Sequence, residues 1–338
     1  MGREKEVKLE DIALEAGVSI VTVSNALKGK KGVSPAMREK IRGIAERMGY
    51  RMREEKEPVE KESYMVGVLV AERYVKEFPS FYMDIYKWVA QEITRKGSLT
   101  VLEIVDAERE RALSEVFPGV EVNGIIAIGQ FTGEFLARLR MRASVPLVCV
   151  DYYDVQPGAD YIVTDGYGGM QQLTERLILQ GFRSFCFVGT PQATRNIMDR
   201  YMGYCKALEK HGLYDEQRNI LFDRESSGVN YRLEVELPGR LPEVFVCNCD
   251  KTAKLLAEKL NQAGVRVPED VSVTGFDHYH ACLSNGMSLT TYENDEKVIA
   301  QISVSTLFKR IAGKEPGGIR VVEGSFVEGD TVLRKGGH

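Results

Sequence analysis

The sequence predicts two structural classes in one chain: an N-terminal all-α helix-turn-helix headpiece, joined to an α/β core of parallel sheets covered by helices. Three observations carry this expectation. Short amphipathic helices broken by a glycine turn occupy the first 50 residues, and a charged run without apolar core residues follows at 51–63. From residue 64 onward, short apolar strands alternate with amphipathic helices. The chain of 338 residues has room for two or three domains, and its 43% hydrophobic and 28% charged content is that of a globular protein.

The headpiece is organised around residues 17–29. Gly17 permits a sharp reversal because it tolerates positive φ without a Cβ clash. Ser19 can cap the helix that follows. Val23 and Leu27 share one face at i, i+4 and can pack inward, which leaves Thr22, Asn25 and Lys28 outward and Gly29 where the helix would stop. A helix over 20–27 would be about 12 Å long, a length that fits the DNA major groove. Upstream, Leu9, Ile12, Ala13 and Ala16 form the apolar stripe of a first helix. Downstream, Ser34 and Pro35 read as an N-cap and first helical residue, and Ile41, Ile44, Ala45 and Met48 line a third helix that ends at Gly49. Any helical hairpin could share the turn; the two flanking helices are what point to DNA recognition.

Charge supports the division. Residues 1–53 hold 12 Lys/Arg against 7 Asp/Glu, a net +5, so the rest carries −9 of the formal total of −4. A basic head on an acidic body confines nucleic-acid affinity to the head.

In the core, strands are expected at 65–70, 99–105, 124–128, 147–150, 161–164, 185–188, 244–247, 271–274 and 289–292. Helices are expected at 84–96, 168–180, 200–211, 252–263 and 295–311. Ligands of open α/β sheets bind at the carboxyl ends of strands. Asp151, Asp165, Thr190, Cys249, Asp250 and Asp277 gather there. Any one of them is better explained as a helix N-cap; together they suggest a cleft between two sheets.

The headpiece resembles that of the lactose-repressor/purine-repressor (LacI/GalR) family. The matching pieces are Asp11-Ile12-Ala13, Ala16-Gly17-Val18-Ser19, Thr22-Val23-Ser24, Gly32-Val33-Ser34 and Gly49-Tyr50. The resemblance continues through Val66-Gly67-Val68, Asn123-Gly124-Ile125-Ile126, Gly181-Phe182, Arg200-Tyr201-Met202-Gly203-Tyr204, Val267-Pro268-Glu269-Asp270-Val271, Gly275-Phe276-Asp277 and Leu289-Thr290-Thr291. It implies a periplasmic-binding-protein-like core of two Rossmann-like subdomains with three crossovers. The implied domains are 1–50, a linker at 51–63, and a core at 64–338. Within the core, the N-terminal subdomain covers about 64–163 and 293–322, and the C-terminal one about 164–292 and 323–333.

The same resemblance implies a bacterial, cytoplasmic transcription regulator, a repressor, that binds a pseudo-palindromic DNA operator as a homodimer. A small molecule, sugar or derivative, would bind in the cleft and control operator affinity. The implied DNA contacts are Leu9, Ser19, Ile20, Val21, Thr22, Ser24, Asn25, Lys28, Ser34 and Tyr50. The implied effector contacts are Phe81, Asp151, Arg200, Asn248, Cys249, Asp250 and Asp277. Arginine and carboxylates so arranged suit vicinal hydroxyls.

Two departures stand out. Cys249 occupies the place of the family's usual asparagine, and the linker has Met52 and Arg53 where the family pattern has proline and asparagine. Pro58 would break a hinge helix before Val59, so the linker is expected to leave the duplex unwedged. Without a leucine heptad after the last strand-like run, a dimer is expected rather than a tetramer.

Other chemistry is absent from the sequence. His278 and His280 lack further metal ligands, and no phosphate loop or nucleophile elbow occurs. No cofactor, metal, catalysis or membrane span is expected. A transport receptor would need an export signal and no DNA head, and an enzyme would need a reactive set in the cleft.

Overall fold

The structure is a computed structural model that describes residues 7–27, 32–50, 63–76, 80–154, 158–214, 220–224, 237–315 and 317–333. It divides into two compact units, residues 1–61 and 62–338. Lys28 and Gly29, and the linker at 51–62 with Met52, Arg53, Pro58 and Val59, lie outside the described residues.

The first unit is three helices, α1 (Leu9–Ala16), α2 (Ile20–Leu27) and α3 (Pro35–Arg47). Gly17 takes φ 72° after α1, and the Ser19 hydroxyl accepts from the Thr22 backbone at 3.2 Å to start α2. Ser34 does the same for α3, accepting from Met37 N at 3.3 Å with Pro35 behind it. Ile12, Val23, Ala26 and Ile41 are fully buried between the helices. Two cations of α3 reach back to helix carbonyl ends: Arg38 Nη1 donates to Ala26 O and Lys40 Nζ to Ala16 O, each at 3.4 Å. Both place positive charge where the helix dipole is negative.

The second unit has two lobes. The N-terminal lobe contains β1 (Met65–Ala71), α4 (Phe81–Arg95), β2 (Leu99–Val105), α5 (Ala107–Arg111), β3 (Gly124–Ile128), α6 (Gly133–Ala143), β4 (Leu147–Val150) and β5 (Asp160–Thr164). The chain then crosses to the C-terminal lobe: α7 (Gly166–Leu179), β6 (Phe185–Val188), α8 (Arg195–Lys210), β7 (Ile220–Leu221), β8 (Val244–Cys247), α9 (Asp250–Gln262), β9 (Ser272–Thr274) and β10 (Thr291–Glu293). It returns for α10 (Glu296–Ile311) and β11 (Ile319–Val322), then crosses a third time to β12 (Ser325–Val327), which pairs antiparallel with β10.

The first sheet is parallel in the order β11-β5-β4-β3-β1-β2, and the second is parallel in the order β7-β6-β8-β9. Helices cover both faces of each sheet. On the first sheet, α4 and α10 enclose Val68, Val70, Ile126 and Val148, while α6 packs Phe135, Leu136 and Leu139 on the other side. The central strands are therefore continuous apolar runs, each fully buried Val or Ile contributing about 1.5–3 kcal/mol.

Several expected bounds shift for a visible reason. Helix α4 begins at Phe81 rather than 84 and α8 at Arg195 rather than 200, because Ser80 and Thr194 accept from Met83 N and Ile197 N as N-caps. Strand β10 runs 291–293 rather than 289–292, and β7, β11 and β12 were not foreseen. Three of the four β11 residues are exposed at the sheet edge, so burial left little apolar signature there.

Candidate DNA-binding and effector sites

On the headpiece, α2 presents branched apolar side chains to solvent: Ile20 is 45% exposed and Val21 67%. Ser24 and Asn25 are half-buried farther along, and the Ser19 and Thr22 hydroxyls pair at 2.9 Å at its start. Six of the expected DNA contacts thus fall on one helix and its cap. Ser34 is exposed at the start of α3, whereas Leu9 and Tyr50 are half-buried against the headpiece core. Each of those two can offer only part of its side chain.

In the core, the carboxyl ends of the strands turn toward the seam between the lobes, and most expected effector residues meet there. Arg200, on the second turn of α8 and 5% exposed, holds Asp277 in a two-point ion pair of 2.7 and 3.3 Å. It also donates to the Asn248 carbonyl at 2.7 Å and lies over the Phe276 ring at 4.2 Å. Burial alone would lower its pKa, but Asp277 and Asp151 raise it above the ordinary value. Its Nε and the Asn294 Oδ1 beside Asp277 are buried without a protein partner.

Asp151 faces this pair from the end of β4, in the left-handed region at φ 64°. It accepts from Tyr82 Oη at 3.0 Å, Thr164 Oγ1 at 3.3 Å and, across the seam, Asn196 Nδ2 at 2.9 Å. Burial pushes its carboxyl up to about 6 against the pull of Arg200. Phe81 is half-buried at the start of α4, its ring edge-on to Tyr279 at 5.6 Å.

The remaining expected residues serve differently. Asp250 is 1% exposed and already engaged, with Thr291 Oγ1 on one oxygen and Tyr279 N on the other. Burial pushes it up to about 7. A Cβ at Gly275 would sit 2.0 Å from its Oδ1, so only glycine lets that carboxylate lie against the chain. Asn248 turns its side chain away from Arg200 into a buried cluster, donating to Asp223 at 2.7 Å and to Val188 O at 3.0 Å. Cys249 Sγ contacts Thr252 Oγ1 at 3.3 Å, and burial raises its thiol pKa. Asp165 is the N-cap of α7, accepting from Gly168 N.

Sequence reasoning missed Tyr82, Asn196, Asp84, Tyr279 as a cleft residue, and the pair Asp223–Arg224. Tyr82 is one residue from Phe81 and could have been included. Asn196 lies ahead of the expected helix start at 200, which is five residues later than the observed one. Asp223 follows a two-residue strand and leaves no pattern to find. Among the described residues no group of three or more His, Cys, Asp or Glu is arranged to hold a metal, and no helix is long and apolar enough to cross a membrane.

A three-helix DNA-reading head on a two-lobed, periplasmic-binding-protein-like core defines a DNA-binding transcriptional regulator. Comparison with known proteins agrees: residues 8–52 match the lacI family of bacterial regulatory proteins, and residues 174–332 match the periplasmic binding protein-like domain. The regulator CelR of Thermobifida fusca is 27% identical over 334 residues, covering 95% of this chain and 97% of its own length. The fold also resembles a CelR–cellobiose complex (TM-score 0.65, 23% identity, covering 96% of this chain and 99% of that one). A similar match is a lac repressor dimer bound to operator and the anti-inducer ONPF (TM-score 0.66, 20% identity, 97% and 100% covered). The chain thus carries a LacI-family DNA-binding headpiece followed by a periplasmic-binding-protein-like domain, and the relatives it matches are named as transcriptional regulators.

Proposed function

We propose that this regulator is a repressor whose homodimer binds a pseudo-palindromic operator, and that a sugar-like molecule in the seam between the lobes changes its operator affinity. The observation that supports the effector reading is the buried Arg200–Asp277 pair, with Asp151 opposite it on the other lobe and two polar atoms beside it still unpartnered. A vicinal diol offers both the donors and the acceptors such a set needs. The cellobiose complex of CelR supports the same class of ligand.

Each proposed half has a test. A thermal-shift screen of sugars finds the effector by mass action. Asp277→Asn and Arg200→Ala should then lose its effect on operator binding while still binding DNA; unchanged effector affinity in both would overturn the site. On the DNA side, Ile20 and Val21 should meet thymine methyls, and Asn25 should pair with adenine. Selected half-sites should be A·T-rich there, and Asn25→Ala should cost about 1–3 kcal/mol against the preferred base. A half-site core of G·C throughout would contradict this. Light scattering that gave a stable tetramer would exclude the dimer.

A further inference from the structure

We propose that Tyr279 walls off one end of the cleft and restricts the effector to the size of a single sugar ring. This rests on the reading that the seam between the lobes is the effector site.

The segment after β9 holds an unusual run of left-handed residues, Asp277 at φ 99°, His278 at 54° and His280 at 49°. Side chains rarely adopt this conformation. The two histidines are exposed, and Tyr279 between them is turned inward and half-buried. Its backbone is fixed to the C-terminal lobe, where its N–H donates to Asp250 Oδ2 at 2.6 Å. Its side chain reaches the N-terminal lobe: the ring packs edge-on against Phe81 at 82°, and the hydroxyl donates to Asp84 Oδ2 at 3.0 Å, one turn along α4. Tyr279 therefore spans the seam, with its phenol beside Phe81 and its hydroxyl on Asp84.

The other end of the seam is bridged as well. Asn196 Nδ2 bonds Asp151 through both its carboxylate and its carbonyl, and the Arg195 guanidinium lies 3.7 Å from the Tyr153 ring centre. Between these two bridges stand the polar groups of Arg200, Asp277, Asp151 and Tyr82. A second ring extending toward Phe81 and Asp84 would have to take the volume of the Tyr279 phenol.

The test is selectivity between a monosaccharide and a disaccharide built from it, measured on the full chain. Suitable pairs are glucose with cellobiose or maltose, galactose with lactose, and xylose with xylobiose. Binding can be followed by thermal shift and by fluorescence of Trp88, the single tryptophan, which lies on α4 one turn beyond Asp84. The unaltered protein should respond to a monosaccharide and to none of the disaccharides. Tyr279→Ala should gain affinity for the matching disaccharide by about tenfold or more. Tyr279→Phe, which keeps the ring and loses the Asp84 bond, should keep the discrimination. A disaccharide that binds the unaltered protein as well as its monosaccharide overturns the proposal, as does a Tyr279→Ala variant that folds and admits no disaccharide. If Tyr279→Phe admits disaccharides, the hydroxyl bond and not the ring sets the limit, which also overturns it. Arg200→Ala separates the two readings: sugar binding that survives it refutes the cleft as the site, whereas sugar binding lost with it leaves the site standing whatever Tyr279 does.

Discussion

In the C-terminal lobe, Asp223 is fully buried and receives hydrogen bonds from Arg224, Asn248, Thr252 and Thr190. In the N-terminal lobe, Asp84 pairs instead with Lys87, whose side chain is 58% exposed. Burial would push Asp223 up, yet Arg224 and the surrounding donors hold it below the usual carboxylate range. The C-terminal lobe thus carries internally balanced charge. The N-terminal lobe offers aromatic rings and carboxylates, Phe81, Tyr82, Asp84 and Asp151, whose partners come partly from across the seam. The Asp223 cluster is complete within its own lobe, whereas Phe81, Asp84 and Asp151 are completed by residues from across the seam.

The largest expected effect follows from that contrast. Asp223→Ala removes a fully buried carboxylate that Arg224, Asn248, Thr252 and Thr190 share, and should cost about 3–5 kcal/mol in denaturant unfolding. Asp84→Ala, its counterpart on the other lobe, should cost about 1 kcal/mol or less. Equal costs would erase the distinction between the lobes. Next is Gly275→Ala, whose methyl must displace the Asp250 carboxylate from 2.0 Å. It should lower the melting temperature by several degrees, and Asp250→Ala should relieve part of that loss in the double variant, since the two atoms compete for one space.

A smaller effect concerns pH. Asp151, Asp250 and Glu296, which ordinarily titrate near 3.8, 3.8 and 4.5, are raised to about 6, 7 and 7, in each case first by burial. The folded core therefore holds more protons than the unfolded chain across that window. Their stabilising contribution is full below the ordinary values and is lost as pH rises through 6 to 7. The melting temperature of the core should fall between pH 5 and pH 8. Carboxyls held below their ordinary values, such as Glu92, Glu175 and Asp270, act at lower pH and leave this slope alone. The smallest expected change is that Glu296→Gln flattens the slope without moving the acid-side melting temperature; a slope unchanged by it would place the proton uptake on the other two acids.

How much of this was legible in the sequence depended on whether a residue's role was local. Strands β3, β4, β6 and β8 stand at their expected bounds because each is an unbroken, fully buried run of apolar or small residues. Gly17, Ser19 and Ser34 cap and turn as expected because capping needs only near neighbours. Asn248 shows the opposite case: its position at a strand end suggested a ligand contact, but its side chain is taken by Asp223, 25 residues earlier. No pattern within either segment announces that pairing. Tyr279 has no local signal of its role, because its partners Phe81 and Asp84 lie nearly two hundred residues away.

The two α3 cations that reach back to α1 and α2 bear on how the headpiece should respond to salt. A DNA-binding surface releases roughly one condensed counterion for each phosphate that a lysine or arginine neutralises. Arg38 and Lys40 contribute to the formal +5 of the head, yet both are engaged with carbonyl oxygens of their own domain. Each bond ties α3 to an earlier helix, so the salt dependence of operator binding should be shallower than a count of basic residues would suggest.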